Sequence, residues 1–298
     1  MRCAMQILQT LEDLRAFRRA QAGRLGLVPT MGYLHEGHLS LVQEAYAEND
    51  AVLATIFVNP TQFAANEDLS TYPRDLPRDL AMLEQAGVTA VFTPTPDVMY
   101  PAGYQTYISV EQVAQGKEGA SRPTHFRGVA TVVAKLFNAT QADTAYFGQK
   151  DAQQVAVIRR MARDLDFAVR VVVCPIVREA DGLAMSSRNV YLTPEERVIA
   201  PALYRALQEA GAHYAQGTRS PSALKAGVLA TLGAHPSAQV DYVSVARADN
   251  LQELDAPADT PYLLSLAVKL GKPRLLDNVL LPLELNTRDG ATQTLGAG

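Results

Sequence analysis

Cysteine occurs only twice in these 298 residues, at Cys3 and Cys174. Two thiols so far apart build neither a disulfide framework nor a zinc cluster, and they suit a reducing compartment such as the cytoplasm. Long apolar runs are missing too: none approaches the roughly 20 residues that span a bilayer. The opening Met1-Arg2-Cys3-Ala4-Met5 lacks the apolar stretch of a secretory signal. A strong excess of either charge is absent, since the formal net charge is −4. Nothing global therefore drives the chain toward nucleic acid or an anionic membrane.

Several familiar motifs are absent as well. No GxxxxGKS or GxxxxGKT loop and no GxGxxG is present, which removes support for a P-loop ATPase or a Rossmann dehydrogenase. No GxSxG elbow marks a serine hydrolase. His35-Glu36-Gly37-His38 superficially suggests a metalloprotease helix, but its histidines are three residues apart instead of four. No cysteine pair or further acidic–histidine cluster supplies the remaining zinc ligands. What is left is a globular composition, 48% hydrophobic and 19% charged, suited to small-molecule partners.

Strand and helix signals alternate through the first part of the chain. Residues 25–29 and the apolar run 51–58 read as buried parallel strands, with a helix over about 37–47 between them. A helix over 75–86 is closed by Gly87, and strands follow at 88–92, 143–147 and 168–177. Helices are expected over 129–137 and from Asp151, where Val155, Ile158, Met161 and Leu165 form one stripe. The fold class is α/β, a doubly wound, Rossmann-like parallel sheet with its ligand at the carboxyl ends of the strands. Beyond Tyr191 the pattern changes to helices at about 194–215 and 221–232 and strands at 239–246, 261–268 and 275–281. The expected division is a Rossmann-like ligand-binding domain over 1–189 and a smaller α+β domain over 190–285. The Gly- and Thr-rich tail 286–298 is expected to be disordered.

The chemistry-bearing segments mostly follow strand ends. Pro29-Thr30-Met31-Gly32-Tyr33-Leu34-His35-Glu36-Gly37-His38 puts two imidazoles and unpaired backbone N–H groups at a helix N-terminus, where a polyanion can sit. Alone, the pair also reads as one helix cap beside an idle histidine. Asn59 and Gln62 supply neutral amides for hydroxyls or a carboxylate, against the plainer reading of Asn-Pro turn chemistry. Asp75 is a natural N-cap, and Arg74 has meaning only in a site. The loop Arg122-Pro123-Thr124-His125-Phe126-Arg127-Gly128 reads equally as an anion-binding lid or a solvated loop.

Gly148-Gln149-Lys150-Asp151 again joins strand to helix. Gly148 permits close backbone approach, Lys150 offers a point charge for phosphate, and Asp151 caps the helix or binds magnesium. Gln154 lies one turn further on. Met185-Ser186-Ser187-Arg188-Asn189, after Val177, adds two hydroxyls and a guanidinium fork, or else forms a solvated interdomain loop.

Together, in this order and spacing, these segments resemble the pantothenate synthetase (pantoate–β-alanine ligase) family, within the nucleotidyltransferases that carry HIGH and KMSKS motifs. The matching segments are 29–38, 59–63, 72–75, 122–128, 147–154, 177–189 and, in part, 269–279. Gln149 stands where family members often carry Glu, and Pro273 where Thr is usual.

The resemblance implies amide formation from pantoate and β-alanine through a pantoyl adenylate, with release of pyrophosphate and AMP. It implies ATP as substrate, Mg²⁺ carried mainly on its phosphates with Asp151 a further candidate ligand, and no tightly bound organic cofactor. The domain over 1–189 would bind both nucleotide and pantoate. His38, His35, Lys150 and Arg188 would be catalytic. Met31, Gly32, Tyr33, Leu34, Glu36, Gly37, Gly148, Gln149, Asp151, Val177, Met185, Ser186 and Ser187 would join them around ATP. Gln62 and Gln154 would hold pantoate, and Gln62 also β-alanine. The smaller domain would close over the site, and the assembly would be a homodimer without nucleic acid or membrane partners. The competing expectations are another small-molecule nucleotidyltransferase, such as a cytidylyltransferase, and a nucleotide-binding protein without turnover.

Overall fold

A computed structural model describes residues 4–63 and 69–298 of the chain, so Cys3 lies outside the described residues. The chain divides into two compact units, Met1–Phe147 with Val157–Val172, and Gly148–Ala156 with Val173–Gly298. The division expected at 189/190 therefore falls earlier, because residues 173–189 and the turn at 148–156 gather with the C-terminal half.

The first part runs β1 (Gln6–Leu8), α1 (Leu11–Ala20), β2 (Leu25–Thr30), α2 (Glu36–Glu48), β3 (Ala51–Ile56), α3 (Leu76–Gln85) and β4 (Ala90–Phe92). It continues with α4 (Pro96–Met99), α5 (Lys117–Ser121), α6 (His125–Thr140), β5 (Thr144–Gly148), α7 (Ala152–Asp164) and β6 (Arg170–Cys174). The six strands lie in the order β1-β4-β3-β2-β5-β6. β2 pairs in parallel with both β3 and β5, and β4 pairs in parallel with β3 and β1. Leu25, Leu27, Val28, Val52, Leu53, Ala54, Val91 and Phe92 are fully buried. That is why these strands read as continuous apolar runs and not as alternating ones. The strand order reverses at β2, so its carboxyl end is a switch point of the kind where open α/β sheets bind ligands.

The second unit contains α8 (Pro194–Ile199), α9 (Ala202–Ala215), α10 (Pro221–Gly233), the strands β7 (Ala238–Arg247), β8 (Tyr262–Leu270) and β9 (Arg274–Leu281), and α11 (Arg288–Thr294). The strands form an antiparallel sheet in that order. Leu203, Leu207 and Tyr214 of α9 and Leu224, Val228 and Leu232 of α10 share one apolar core with Leu264, Leu266 and Val268 of β8.

Three expectations are corrected here. The helix expected over 194–215 is two helices, because Pro201 has no N–H to donate and its ring collides with the carbonyl one turn back. β1 and α1 precede the first expected strand. α1 is set by a Thr10–Asp13 capping box and buries Leu14 and Phe17. The tail expected to be disordered carries α11, with Ala291 and Leu295 buried and the Thr292 hydroxyl accepting the Val173 N–H at 2.9 Å. Composition misleads there because tertiary burial outweighs weak helix propensity.

Candidate active site

The carboxyl end of β2 leads straight into the histidine pair. Gly32 has φ +83°, and a Cβ there would lie 3.0 Å from the Asp79 carboxylate, so the position needs glycine on both counts. Asp79, buried on α3, accepts the backbone N–H of Tyr33 at 2.7 Å and of Leu34 at 2.8 Å. The Thr30 hydroxyl donates to the Thr55 carbonyl on β3 at 2.6 Å and accepts the Gly32 N–H at 3.2 Å. The turn is thus fixed on both sides before α2 begins.

His35 is the N-cap of α2. Its Nδ1 accepts the Gly37 N–H at 3.1 Å, and His38 Nδ1 accepts the His35 N–H at 3.3 Å, a capping box built from two imidazoles. The rings stand 4.1 Å apart. With Nδ1 accepting in both, each neutral ring carries its proton on Nε2. The cap and the anion site, weighed as alternatives in sequence, are therefore compatible, because capping uses only the Nδ1 atom of each ring.

The 59–62 turn after β3 forms a second cluster in the same unit. Asn59 is buried; its amide donates to Gln62 Oε1 at 2.9 Å and to the Gly128 carbonyl at 3.2 Å. Its Oδ1 accepts from the Tyr100 hydroxyl at 2.9 Å. Burial pushes the Tyr100 phenol up to about 12, so it stays protonated as that donor. Gly128 must be small, since a Cβ would meet the Thr61 carbonyl oxygen at 2.4 Å. His125 Nδ1 lies 3.0 Å from the Gln62 carbonyl, and Arg122 donates to the same oxygen at 3.2 Å. Two residues of the basic loop, Arg122 and His125, therefore hold the Gln62 backbone. Arg74 likewise serves the chain itself, donating to the carbonyls of Tyr72 and Leu69.

In the second unit, Lys150 pairs with Asp151 at 3.5 Å ahead of α7, and Gln154 lies half-buried on the first turn of that helix. A Cβ at Gly148 would meet nothing within 4 Å. The Gln149 side chain, expected near nucleotide, is buried instead and donates to Asn278 at 3.2 Å and Asn286 at 2.8 Å. Residues 177–185 form a tight hairpin: Glu179 N–H donates to the Leu183 carbonyl at 2.8 Å and Met185 N–H to the Val177 carbonyl at 3.0 Å. Ser186 then caps a 3₁₀ turn, Ser187–Tyr191, through the Arg188 N–H at 3.2 Å.

The hairpin is held by residues whose role was not evident from sequence. Arg178 forms a two-pronged pair with Asp277, at 2.7 and 2.8 Å, and lies 3.5 Å over the Tyr204 ring. Burial pushes the Asp277 carboxyl up, while Arg178, the Asn278 N–H and Lys150 pull the other way. Arg197 clamps Glu179 and Asp181, each at 2.6 Å. Only the Asp-Asn dipeptide inside the apolar run of β9 could have signalled this arrangement. Among the described residues no group of three or more His, Cys, Asp or Glu could hold a metal ion, and no helix is long and apolar enough to cross a membrane.

The central strand of a parallel α/β sheet thus opens onto a histidine-capped helix, the layout of an α/β protein with its ligand site at a strand end. The model of the pantoate-β-alanine ligase family matches residues 6–280, and the chain belongs to that family. It is 58% identical to a pantothenate synthetase of Roseiflexus castenholzii over 277 residues, 93% of this chain and 99% of the relative. It is 56% identical to that of Herpetosiphon aurantiacus, with 93% and 100% covered. Among solved structures, pantothenate synthetase from Thermus thermophilus superposes with TM-score 0.86 at 47% identity, covering 92% of this chain and 99% of that one. Pantoate-β-alanine ligase from Francisella tularensis, solved in complex with β,γ-ATP and β-alanine, superposes with TM-score 0.76 at 35% identity, covering 93% and 98%.

Proposed function

We propose that this chain condenses pantoate with β-alanine at the expense of ATP, through a pantoyl adenylate, releasing pyrophosphate and then AMP. The observation that carries the reading is the start of α2, where two imidazoles cap the positive end of a helix through their Nδ1 atoms. The family membership and the ligands named for the Francisella tularensis relative support taking ATP and β-alanine as substrates here.

A carboxylate is a poor acyl donor. In the first half, a pantoate carboxylate oxygen attacks the α-phosphorus of ATP and the bond to pyrophosphate breaks. In the second, the β-alanine amine attacks the carbonyl carbon and AMP departs with that oxygen, the amine losing a proton. The phosphoryl step asks the protein for in-line positioning and charge stabilisation more than for covalent help. His38, seconded by His35, donates from Nε2 to phosphate oxygens, and the backbone at Glu36 and Gly37 adds the field of the helix end. Lys150, Ser186, Ser187 and Arg188 neutralise the phosphates. Mg²⁺ enters with ATP as part of the substrate, with Asp151 its candidate protein ligand.

Gln62 and Gln154 hold pantoate by hydroxyl and carboxylate, and Gln62 also meets β-alanine. Asn59 supports this role by holding the Gln62 side-chain amide through Oε1, while Arg122 and His125 hold the Gln62 backbone carbonyl. Backbone at Met31, Gly32, Tyr33, Leu34, Gly148, Val177 and Met185 lines the adenosine. The open space at Gly148 agrees with close approach by a ligand. Residence in the cytoplasm as a homodimer completes the reading.

The test is a pyrophosphate assay with ATP, Mg²⁺ and pantoate, followed by addition of β-alanine. The expected result is pantoate-dependent pyrophosphate, then AMP and pantothenate in equal amounts. Pyrophosphate that appears without pantoate, or product that appears without AMP, would overturn it.

A further inference from the structure

Two phosphate-directed segments of the second unit lie far apart in sequence and end on neighbouring residues of one strand. Asp277 takes the Arg178 fork at 2.7 and 2.8 Å, and Arg178 also donates to the Gly182 carbonyl at 3.1 Å, tying the two arms of the hairpin. Met185 closes that hairpin by bonding to Val177, and Ser186–Arg188 follow directly. Asn278 donates both amide protons to the other segment, to the Gln149 carbonyl at 3.1 Å and the Lys150 carbonyl at 3.0 Å. Its Oδ1 accepts from Gln149 at 3.2 Å. Successive residues of a strand point to opposite faces, so a single Asp-Asn step can reach both segments at once.

Stability alone accounts poorly for this arrangement. Asp277 and Asn278 are buried in a strand whose residues 279–281 are all apolar and buried. Replacing a buried ion pair by apolar packing of the same volume is often neutral or stabilising. What the pair supplies is geometry. The fork fixes the guanidinium in position and orientation, and the two amide donors fix two consecutive carbonyls.

We infer that Asp277 and Asn278 are positioning residues for adenylation, a yoke that sets the Lys150 turn and the Ser186–Arg188 loop in one register. The inference rests on the reading that Lys150 and Ser186–Arg188 act on phosphate. Neither yoke residue touches substrate; each acts through the segment it holds.

The test is a pair of double-mutant cycles on the full chain, read as kcat and KM for pantoate-dependent pyrophosphate release. Asn278→Ala, which removes no charge, should lower kcat about tenfold to a hundredfold while the pantoate KM stays within about twofold. In a Lys150→Ala background the same substitution should cost less than about threefold, because its route to the phosphates is already gone. Asp277→Asn should behave alike against Arg188→Ala. If Asp277→Asn does not fold, the Asn278 arm decides.

Equal losses in both backgrounds, or an unchanged kcat in folded Asn278→Ala, overturn the inference. If Lys150→Ala and Arg188→Ala each leave adenylation at the wild-type rate, the phosphate reading falls and the yoke with it. If those two variants are crippled while folded Asn278→Ala is not, the yoke alone falls.

Discussion

A buried aspartate pins each of the two regions proposed to act on the triphosphate, and the two are pinned by different chemistry. Asp79 accepts two backbone N–H groups at the turn before α2, while Asp277 holds a guanidinium that holds a hairpin. The first region is tied through its main chain to a helix start and a parallel strand. The second hangs on side chains, with Arg178 over Tyr204 and Arg197 across Glu179 and Asp181. The lesson is a division of labour: one region is fixed by a carboxylate that accepts main-chain amides, the other by ion pairs between side chains.

The largest expected effect is chemical. His38→Ala should slow pantoate-dependent pyrophosphate release at least about a hundredfold, or about 2.7 kcal/mol of transition-state stabilisation. Near-normal release would remove His38 from the chemistry and leave the start of α2 as a plain capped helix.

The next effect separates the two kinds of anchor. Asp79→Ala strands two amides that lose their acceptor and should cost about 2–4 kcal/mol in urea unfolding. Arg197→Gln removes partly exposed ion pairs and should cost under about 1 kcal/mol. Equal costs would break the comparison.

The smallest effect is a pH signature of the hairpin. The Arg197 guanidinium holds the Asp181 carboxyl below its ordinary value. A depressed carboxyl contributes stability above its unfolded value and loses it as pH falls through the folded one. The melting-temperature gap between wild type and Arg197→Gln should therefore be full at neutral pH and shrink below about pH 4. A gap that persists unchanged at pH 3 would show that the clamp acts through packing and not charge.

How much was legible in sequence follows the same divide. The apolar runs of β2 and β3, the Gly87 cap after α3 and the His35–His38 spacing are local patterns, and each reads directly. Asp79 and Asp277 are not local: they act 45 and 99 residues away from the groups they hold. No periodicity reports such a contact. The helical tail escaped for a related reason, because its Gly- and Thr-rich composition gives no hint that Val173 will bond to Thr292. Gln149 shows a different limit: it stands next to Lys150 in sequence, but its side chain turns inward to Asn278 and Asn286.

The central claim is that both regions serve transfer of an adenylyl group to a carboxylate. Isotope tracing tests it most directly. Pantoate labelled with ¹⁸O in both carboxylate oxygens, incubated with ATP, Mg²⁺ and β-alanine, should deliver one labelled oxygen to the phosphate of AMP and keep the other in the pantothenate amide. Label in inorganic phosphate, or none in AMP, would contradict the adenylate route.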